Sequence, residues 1–256
     1  MEQDQNTISD FNMNLIIDFF KNVDRQGPGC AESSRRALGF IPTPTADSTI
    51  LDIGCGTGKQ TEILASETAA QLIATDIASE MLVMLKERLA AYGDRLKTVA
   101  ASMDSLPIDD SSVDTVWAEG SIFIVGFRNG LRMWRRLLKA GGYIVVSDAA
   151  WLTPTRPDEI ERYWTENYPD IATVAEDIAI MEQEGYSPVG HFTLPEEGWT
   201  ENYYVPMARE IDRFAAAHPS DPAVDGLLDS LRHEIATYER YKEYYGYVFF
   251  IGRKRD

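Results

Sequence analysis

Two hydrophobic patterns alternate along the middle of the chain, between residues 48 and 148. Short apolar runs, typical of buried strands, are separated by stretches in which apolar residues recur every three or four positions, which is typical of helices. The predicted strands cover residues 48–53, 72–75, 96–100, 113–118 and 143–147. Strands that alternate with helices form βαβ units, so the pattern predicts a parallel sheet with helices on its faces.

The helices predicted in this central region cover residues 59–69, 79–92 and 129–139. The second carries Met81, Leu82 and Leu85 at helical spacing, and Ser79 has a side chain suited to its N-cap. Gly141 and Gly142 follow the third helix and predict where it ends.

The pattern changes on both sides of this region. Further helices are predicted over residues 11–22, 32–38, 157–184, 206–217 and 222–243, and strands over residues 189–194 and 247–251. We therefore expect an α/β fold with a doubly wound, mostly parallel, seven-stranded sheet, an N-terminal helical cap and a helical insertion after strand five. The expected organisation is one domain over residues 1–256, with the cap at 1–46, the core at 47–150 and, at 151–256, helices that cover the substrate together with the last two strands.

Charge narrows the class of partner. The chain of 256 residues has 41 acidic and 24 basic side chains, a net charge of −17. Residues 151–256 alone hold 21 acidic and 10 basic side chains. A protein that grips a phosphate backbone needs a basic face, so we expect no nucleic-acid partner. The acidic C-terminal part slightly favours a cationic or neutral substrate.

The cysteines, histidines and apolar runs bear on disulfides, metal sites and cellular location. Two cysteines and three histidines give no basis for a disulfide framework or for a metal site. No apolar run approaches the roughly 18 residues of a membrane helix, and the polar residues 1–10 lack the features of a secretory signal. We expect a cytoplasmic protein without membrane association, and the oligomeric state is left open.

The most informative motif joins the first predicted strand to the first central helix, and it reads Asp52-Ile53-Gly54-Cys55-Gly56-Thr57-Gly58. Glycines let a backbone pass close to a ligand, and a helix N-terminus supplies N–H donors. A Walker loop is excluded for two reasons. Three residues rather than four separate Gly54 from Gly58, and Gln60 stands where the motif requires Ser or Thr. A dinucleotide fingerprint is weakened, because the third glycine comes one position early.

Asp-x-Gly-x-Gly-x-Gly at the end of a first strand resembles motif I of the class I S-adenosylmethionine-dependent methyltransferases. The resemblance continues in Asp76, which ends the second strand, and in Leu106-Pro107, Glu119-Gly120 and Gly141-Gly142, all in register. Ser102 departs from the family, which often has an acid there. The similarity covers residues 48–150 and the last strand, and the chain looks like a bacterial small-molecule methyltransferase with a Rossmann-like fold.

The resemblance implies S-adenosyl-L-methionine as the cofactor. Asp52 would support its methionine ammonium end, and Asp76 would accept hydrogen bonds from both ribose hydroxyls. The alternatives are a residue that caps the turn for Asp52 and a helix-start carboxylate for Asp76. The cofactor contacts implied are Asp52, Gly54, Cys55, Gly56, Thr57, Gly58, Asp76, Ile77, Met81, Ser102, Met103, Asp104, Glu119 and Gly120.

The implied reaction is methyl transfer by in-line displacement to a nitrogen, oxygen, sulfur or carbon atom of a small molecule. No catalytic residue is assigned beyond Glu119 as a tentative base, and an ion pair or a cofactor contact is an equal alternative. Candidate substrate contacts are Gln26, Ser121, Trp151, Trp199, Tyr203 and Tyr204. Residues 25–29, which include Gln26, could close over the cofactor as a lid, and a plain turn is the equal alternative. Core packing is the alternative for Trp151. Tyr238, Tyr241 and Tyr245 recur at helical spacing, which favours a packed helix stripe over a substrate cage.

Two other functions stay open. A non-catalytic sensor or partner subunit would keep the cofactor site and transfer nothing. A nicotinamide-dependent oxidoreductase would need the glycine turn to hold a pyrophosphate.

Overall fold

A twisted sheet carries the fold in the computed structural model, which describes residues 11–256. The strands of these residues are β1 Thr49–Ile53, β2 Gln71–Asp76, β3 Leu96–Ala100, β4 Val113–Glu119, β5 Leu138–Trp151, β6 Ala172–Thr173, β7 Tyr186–Thr193 and β8 Tyr245–Lys254. Their order is β3-β2-β1-β4-β5-β8-β7, with β6 paired to the end of β5. The strands β1 to β5 are parallel, and β8 runs antiparallel to both β5 and β7.

Helices flank this sheet. They are α1 Met13–Phe20, α2 Ala31–Leu38, α3 Lys59–Glu67, α4 Ser79–Arg88, α5 Phe127–Trp134, α6 Asp158–Asn167, α7 Val174–Gln183, α8 Glu196–Trp199, α9 Val205–Ala217 and α10 Pro222–Tyr241. A π-helical turn, Thr200–Tyr204, joins α8 to α9. Within residues 11–256 no helix has the length and apolarity needed to cross a bilayer.

The strand order creates a crevice at the carboxyl ends of β1 and β4. β2 pairs with one side of β1 and β4 with the other, so the chain connections leave β1 and β4 in opposite directions. Ligands of open α/β sheets bind outside the carboxyl ends of the strands at such a reversal. Ile50, Leu51 and Ile53 are fully buried on both faces of β1, as expected of a strand covered by helices on both sides.

The predicted fold class is confirmed, with corrections at particular boundaries. The helix predicted at 129–139 is instead α5, which ends at Trp134, because Leu138 pairs with Val113 and already begins β5. Gly141 and Gly142 therefore lie inside a strand. A Cβ on Gly142 would come within 2.9 Å of the Asp114 carbonyl oxygen, where the register of β4 and β5 shifts.

Two further predictions at helix ends were wrong. Ser79 is the first residue of α4 rather than its N-cap, because the Asp76 carboxylate accepts a hydrogen bond from the N–H of Ala78 and fixes the cap there. The helix predicted at 157–184 is split into α6 and α7 by the short strand β6. The polar segment at residues 1–10, part of the predicted cap, lies outside the described residues.

Aromatic packing ties the cap and the later helices to the sheet. Phe19 of α1 meets Phe214 of α9 edge-on at 5.5 Å between ring centroids. Trp199, at the end of α8, contacts Tyr245 and Tyr247 at 6.1 and 4.8 Å. Both tyrosines stand near the start of β8, opposite the carboxyl end of β5. The later helices therefore cover the ligand edge of the sheet.

Two carboxyl groups, those of Asp148 and Asp177, are buried near the carboxyl end of β5. Asp148 accepts hydrogen bonds from the Tyr168 hydroxyl at 2.7 Å and from the N–H of Ala149 at 2.8 Å. Asp177 of α7 is 2% exposed, and its Oδ2 has no hydrogen-bond partner among the described residues. Burial raises the pKa of Asp148 to about 7 and that of Asp177 to about 8, with the neighbouring Asp148 charge adding to the second shift.

We expect the free energy of unfolding to fall as the pH rises from about 5 to about 8. In the unfolded chain these carboxyls ionise near pH 4, whereas the folded protein keeps them protonated, so the native state binds more protons in this range. Replacing Asp177 with Asn is expected to reduce the slope by up to about 1.4 kcal/mol per pH unit. Urea unfolding at pH 5, 6, 7 and 8 measures it. The exposed Asp109→Asn variant is the control, and an unchanged slope in Asp177→Asn would contradict the assignment.

Candidate cofactor site and acceptor pocket

The loop after β1 depends on three glycines. Gly54, Gly56 and Gly58 have φ values of +71°, +52° and +88°, in the left-handed region that side chains disfavour. A Cβ on Gly54 would also lie 2.6 Å from Ser121 Cβ, and one on Gly58 would lie 2.7 Å from Leu85 Cγ. The glycines therefore let the loop pass close to Ser121 and Leu85 at the sheet reversal.

Asp76, at the end of β2, holds this loop in place through backbone hydrogen bonds. Its Oδ2 accepts a hydrogen bond from the N–H of Gly56 at 2.9 Å, and its Oδ1 accepts one from the N–H of Ala78 at 2.9 Å. Burial raises the pKa of Asp76, and the two backbone donors oppose that shift. Ile77 beside it is 66% exposed, which leaves an apolar surface next to a fixed carboxylate.

Asp52 faces the interior of the same loop. It is fully buried, and its Oδ2 accepts a hydrogen bond from the Thr61 hydroxyl at 2.6 Å, while Gln60 Nε2 lies 3.4 Å from Oδ1. Burial raises the pKa of Asp52 to about 7, and the Thr61 hydrogen bond opposes the shift. The contacts with Thr61 and Gln60 brace the loop against the start of α3.

The segment after β3 approaches from the other side. Ser102 and Met103 are half-buried, and the Met103 carbonyl accepts a hydrogen bond from Trp134 Nε1 at 2.9 Å. Met103 Cε lies 3.5 Å from the position of a Cβ on Gly54. Asp104 is exposed, and a hydrogen bond from Ser102 lowers its pKa. Met103 therefore contacts the glycine loop, and Asp104 projects to the surface.

Glu119 ends β4 and is tied to the N-terminal cap. Its Oε1 accepts hydrogen bonds from the Ser34 hydroxyl at 2.6 Å and from Trp117 Nε1 at 2.9 Å. Its Oε2 has no hydrogen-bond partner among the described residues and lies 3.6 Å from Nη1 of Arg25. The next side chain, Ser121, donates its hydroxyl hydrogen bond to the Ile53 carbonyl at 2.8 Å.

Gln26 covers the glycine loop from the cap. Its Oε1 accepts a hydrogen bond from the N–H of Thr57 at 3.1 Å, and its Nε2 donates to the carbonyls of Val23 and Phe20 at 2.7 and 3.1 Å. A Cβ on Gly56 would come within 2.1 Å of the same Oε1. The structure thus places Gln26, a predicted substrate contact, on the glycine loop.

Comparisons with known proteins agree with this geometry. Residues 50–142 match the family described as "Methyltransferase domain". The chain is 38% identical over 115 residues to a demethylmenaquinone methyltransferase of Clavibacter sepedonicus, which covers 44% of this chain and 45% of that protein. It is 25% identical over 219 residues to the uncharacterized methyltransferase YodH of Bacillus subtilis, covering 82% and 86%. A methyltransferase of Geobacter sulfurreducens, solved with S-adenosyl-L-homocysteine, has the same fold, with a TM-score of 0.82, 19% identity and coverage of 96% and 99%.

Residues 50–142 therefore resemble a methyltransferase domain, and the fold is that of a methyltransferase solved with S-adenosyl-L-homocysteine. The chain spans less than half the length of the Clavibacter enzyme. Two features beside the glycine loop suit this cofactor, because Asp76 presents a carboxylate held by backbone N–H groups and Ile77 offers an exposed apolar side chain. Contacts of the individual residues with the cofactor stay predictions.

Beyond the glycine loop, a cluster of aromatic side chains lies next to the end of β4. The Tyr247 ring lies 3.0 Å from the position of a Cβ on Gly120. Trp199 meets Tyr247 edge-on at 4.8 Å and stacks on Tyr238 at 4.6 Å between centroids. Tyr204 extends the cluster, 5.3 Å from Tyr238. The aromatic cluster therefore reaches from the cover helices to the residue that follows β4.

Other predicted substrate and cofactor residues have defined places in the structure. Tyr203 is buried on the π-helical turn and packs against Tyr204 at 5.1 Å. Trp151 is buried at the end of β5, and the Arg156 guanidinium lies 3.9 Å from its ring centroid. Met81 is buried in α4. Their roles toward a substrate or cofactor stay predictions.

Sequence reasoning missed Tyr247, Asp148 and Glu234 as residues of this region. Tyr247 lies within the last predicted strand, where burial in the sheet was a sufficient reason for an aromatic residue. Tyr245, assigned by its spacing to a helix stripe, lies instead on β8, because α10 ends at Tyr241. Glu234 is one acid among several on α10, and no local pattern separates it from the solvated ones.

Replacing Asp76 with Ala is expected to weaken binding of S-adenosylhomocysteine by about 1.5–3 kcal/mol, because hydrogen bonds to a charged acceptor are lost. Calorimetric titration measures the affinity. The exposed Asp94→Ala variant serves as the control, and circular dichroism checks that both variants fold. Equal affinities in the two variants would exclude Asp76 from cofactor binding.

The Gly58→Ala variant is expected to lose more stability than Gly185→Ala. The two glycines have nearly the same φ, +88° and +89°, so the backbone strain of roughly 1–2 kcal/mol is shared. At Gly58 the new methyl group meets the buried Leu85, whereas at Gly185 it meets the end of the Arg135 side chain, which can move aside. Overpacking then adds about 1–3 kcal/mol at Gly58 alone. Thermal unfolding compares them, and equal losses would mean that Leu85 yields freely.

Proposed function

We propose that this protein transfers a methyl group from S-adenosylmethionine to a small-molecule acceptor. The observation that carries the proposal is the Asp76 carboxylate, held by the backbone of Gly56 and Ala78 beneath a left-handed glycine loop. The crevice between β1 and β4 supports the same function, because it opens toward an aromatic cover beyond Gly120. When bound, the cofactor supplies a methyl carbon whose bond to sulfur breaks as the acceptor's electron pair forms the new bond, leaving S-adenosylhomocysteine.

The residues of the protein mainly bind, orient and exclude water. Asp76 would hold the two ribose hydroxyls, and Ser102 with Met103 would flank the adenine. Asp52 keeps the loop in place through Thr61. Rates of displacement depend strongly on the alignment of the reacting atoms, so a loop fixed by buried hydrogen bonds contributes directly to the reaction.

The cover would close the acceptor side. Trp199, Tyr203, Tyr204 and Tyr247 are all buried, and the Tyr247 ring lies against Gly120. Their rings would exclude water from the transferred methyl group, as an acceptor approaches along the end of β4. The net charge of −17 supports a small molecule rather than a nucleic acid as the acceptor.

The names of relatives differ in the atom that is methylated. They include an O-methyltransferase of Penicillium expansum, a sterol 4-C-methyltransferase of Caenorhabditis elegans and a phosphoethanolamine N-methyltransferase of Arabidopsis thaliana. The chemistry of the acceptor therefore has to be argued from the side chains of this chain.

Purified protein is expected to bind S-adenosylmethionine and S-adenosylhomocysteine, but not reduced nicotinamide dinucleotide, in parallel calorimetric titrations. Turnover is then measured as S-adenosylhomocysteine released with a panel of amines, phenols, thiols and carbon acids, with Asp76→Ala as the background. Binding of the nicotinamide alone would overturn the cofactor. Binding of both sulfur ligands with no release for any acceptor would favour a sensor or partner subunit.

A further inference from the structure

A buried ion pair joins the cap to the end of β4 without a hydrogen bond between its two groups. Nη1 of Arg25 lies 3.6 Å from Oε2 of Glu119, and the two side chains are only 10% and 3% exposed. Oε2 has no hydrogen-bond partner among the described residues. Buried polar groups of native proteins are nearly always hydrogen-bonded, so an unsatisfied one needs an explanation.

The carboxylate of Glu119 is held in a fixed orientation by its other oxygen. Oε1 accepts hydrogen bonds from the Ser34 hydroxyl at 2.6 Å and from Trp117 Nε1 at 2.9 Å. These donors come from the cap and from β4 itself, so neither the loop nor the cover has to move for them to form. The free oxygen is therefore presented at a defined place.

The other acid on this face of the sheet is already engaged. Asp52 pairs with Trp117 across β1 and β4, and Glu119 is two residues further along β4, so these side chains share a face. The Asp52 carboxylate is fully buried and accepts hydrogen bonds from Thr61 and Gln60. Asp52 therefore serves the loop, whereas Glu119 keeps one oxygen free.

The cap brings the cation of the pair to the glycine loop. Arg25 precedes Gln26, whose Oε1 accepts a hydrogen bond from the N–H of Thr57 at 3.1 Å. A Cβ on the following Gly27 would lie 3.9 Å from the Gly120 carbonyl oxygen. The segment therefore reaches from the loop after β1 to the residue that follows β4, across the crevice.

The guanidinium of Arg25 also keeps its hydrogen-bonding capacity. It has five N–H donors in a planar fork, and no described residue accepts a hydrogen bond from them. A Cβ on Gly29 would lie 2.6 Å from Nη1 of Arg25 and 3.5 Å from Oε2 of Glu119. Glycine at this position therefore gives both charged groups room to lie side by side.

The pairing of opposite charges selects the class of ligand. An ammonium bound to Glu119 alone would lie next to the Arg25 guanidinium, and a carboxylate bound to Arg25 alone would lie next to Glu119. Either ligand would meet a like charge in a buried site, which is unfavourable. A ligand that carries both charges avoids this conflict, because each of its charges meets an opposite one and forms charge-assisted hydrogen bonds.

We propose that Arg25 and Glu119 together bind an α-amino-acid group, with its ammonium donating to Glu119 Oε2 and its carboxylate accepting from the Arg25 guanidinium. S-adenosylmethionine carries such a group at its methionine end, and an amino-acid acceptor would carry one too. The place of Arg25 beside Gln26, on the glycine loop, favours the cofactor. The inference rests on the proposed function for the identity of that cofactor, and it adds a residue of the cap to the binding site.

The test uses two nucleosides that differ in this group. S-adenosylhomocysteine carries the amino-acid end, and methylthioadenosine has the same adenosine and thioether without it. Calorimetric titration is expected to show that Arg25→Met and Glu119→Gln each weaken S-adenosylhomocysteine binding about tenfold or more and leave methylthioadenosine unchanged. Arg209→Met and Glu201→Gln, at exposed positions, are the matched controls and should bind both nucleosides like the wild type.

A second titration distinguishes the acceptor as the source of the group. Glycine, L-serine and L-methionine are titrated into protein saturated with S-adenosylhomocysteine. If they bind the wild type but not Arg25→Met, while S-adenosylhomocysteine binds both proteins equally, the pair holds an amino-acid acceptor. If Arg25→Met and Glu119→Gln match the wild type for S-adenosylhomocysteine and for all three amino acids, the proposal is wrong.

Methylthioadenosine also shows whether the variants keep their loop. If Arg25→Met loses both nucleosides, Arg25→Lys provides the second variant, which keeps the charge but not the planar fork. It is expected to weaken S-adenosylhomocysteine and to spare methylthioadenosine. Equal losses of the two nucleosides in Arg25→Lys would remove Arg25 from the site.

The two proposals fail in different ways. If neither nucleoside binds the wild type while the free amino acids do, the proposed methyl transfer fails and the amino-acid site remains. If S-adenosylhomocysteine binding depends on both residues but no acceptor is methylated, the catalytic function fails and the assignment of Arg25 and Glu119 stands.

Discussion

One hydrogen bond, from the N–H of Gly56 to the carboxylate of Asp76, joins the two halves of the cofactor site. It links the loop after β1 to the end of β2, the neighbouring strand. The loop can take this path because Gly54, Gly56 and Gly58 adopt left-handed backbone conformations. Strand order, glycine positions and the acid are therefore one constraint, and the cap and the cover are built around the crevice that it defines.

The sequence predicted what local patterns encode. β3 has the predicted bounds, and β1 differs by one residue, because short apolar runs with turn residues on both sides leave little choice. The boundary between α5 and β5 was wrong because the pairing of Leu138 with Val113 overrides a helical pattern. Gln26, Tyr247 and Glu234 acquire their places through contacts between distant segments, and no spacing in the chain announces such contacts.

Several acidic side chains of this chain are buried rather than exposed to solvent. Burial raises the pKa of Asp52, Asp148 and Glu234 to about 7 each. Asp52 lies beneath the glycine loop, where Thr61 and Gln60 contact it, and Asp148 lies near the end of β5. Buried acids reduce stability unless they are neutral or paired, so their arrangement around one ligand edge places a stability cost at the proposed site of function.

A backbone contact between the cap and the cover gives the two ligand sides a shared boundary. The N–H of Gly29 donates to the carbonyl of Gly198 at 3.0 Å, one residue before Trp199. Gln26, three residues earlier, lies on the glycine loop. Residues 26–29 therefore connect the glycine loop, through Gln26, to the segment that carries Trp199. The cap and the cover are thereby joined by a backbone hydrogen bond, so that a shift of residues 26–29 is passed on to the start of the aromatic cluster.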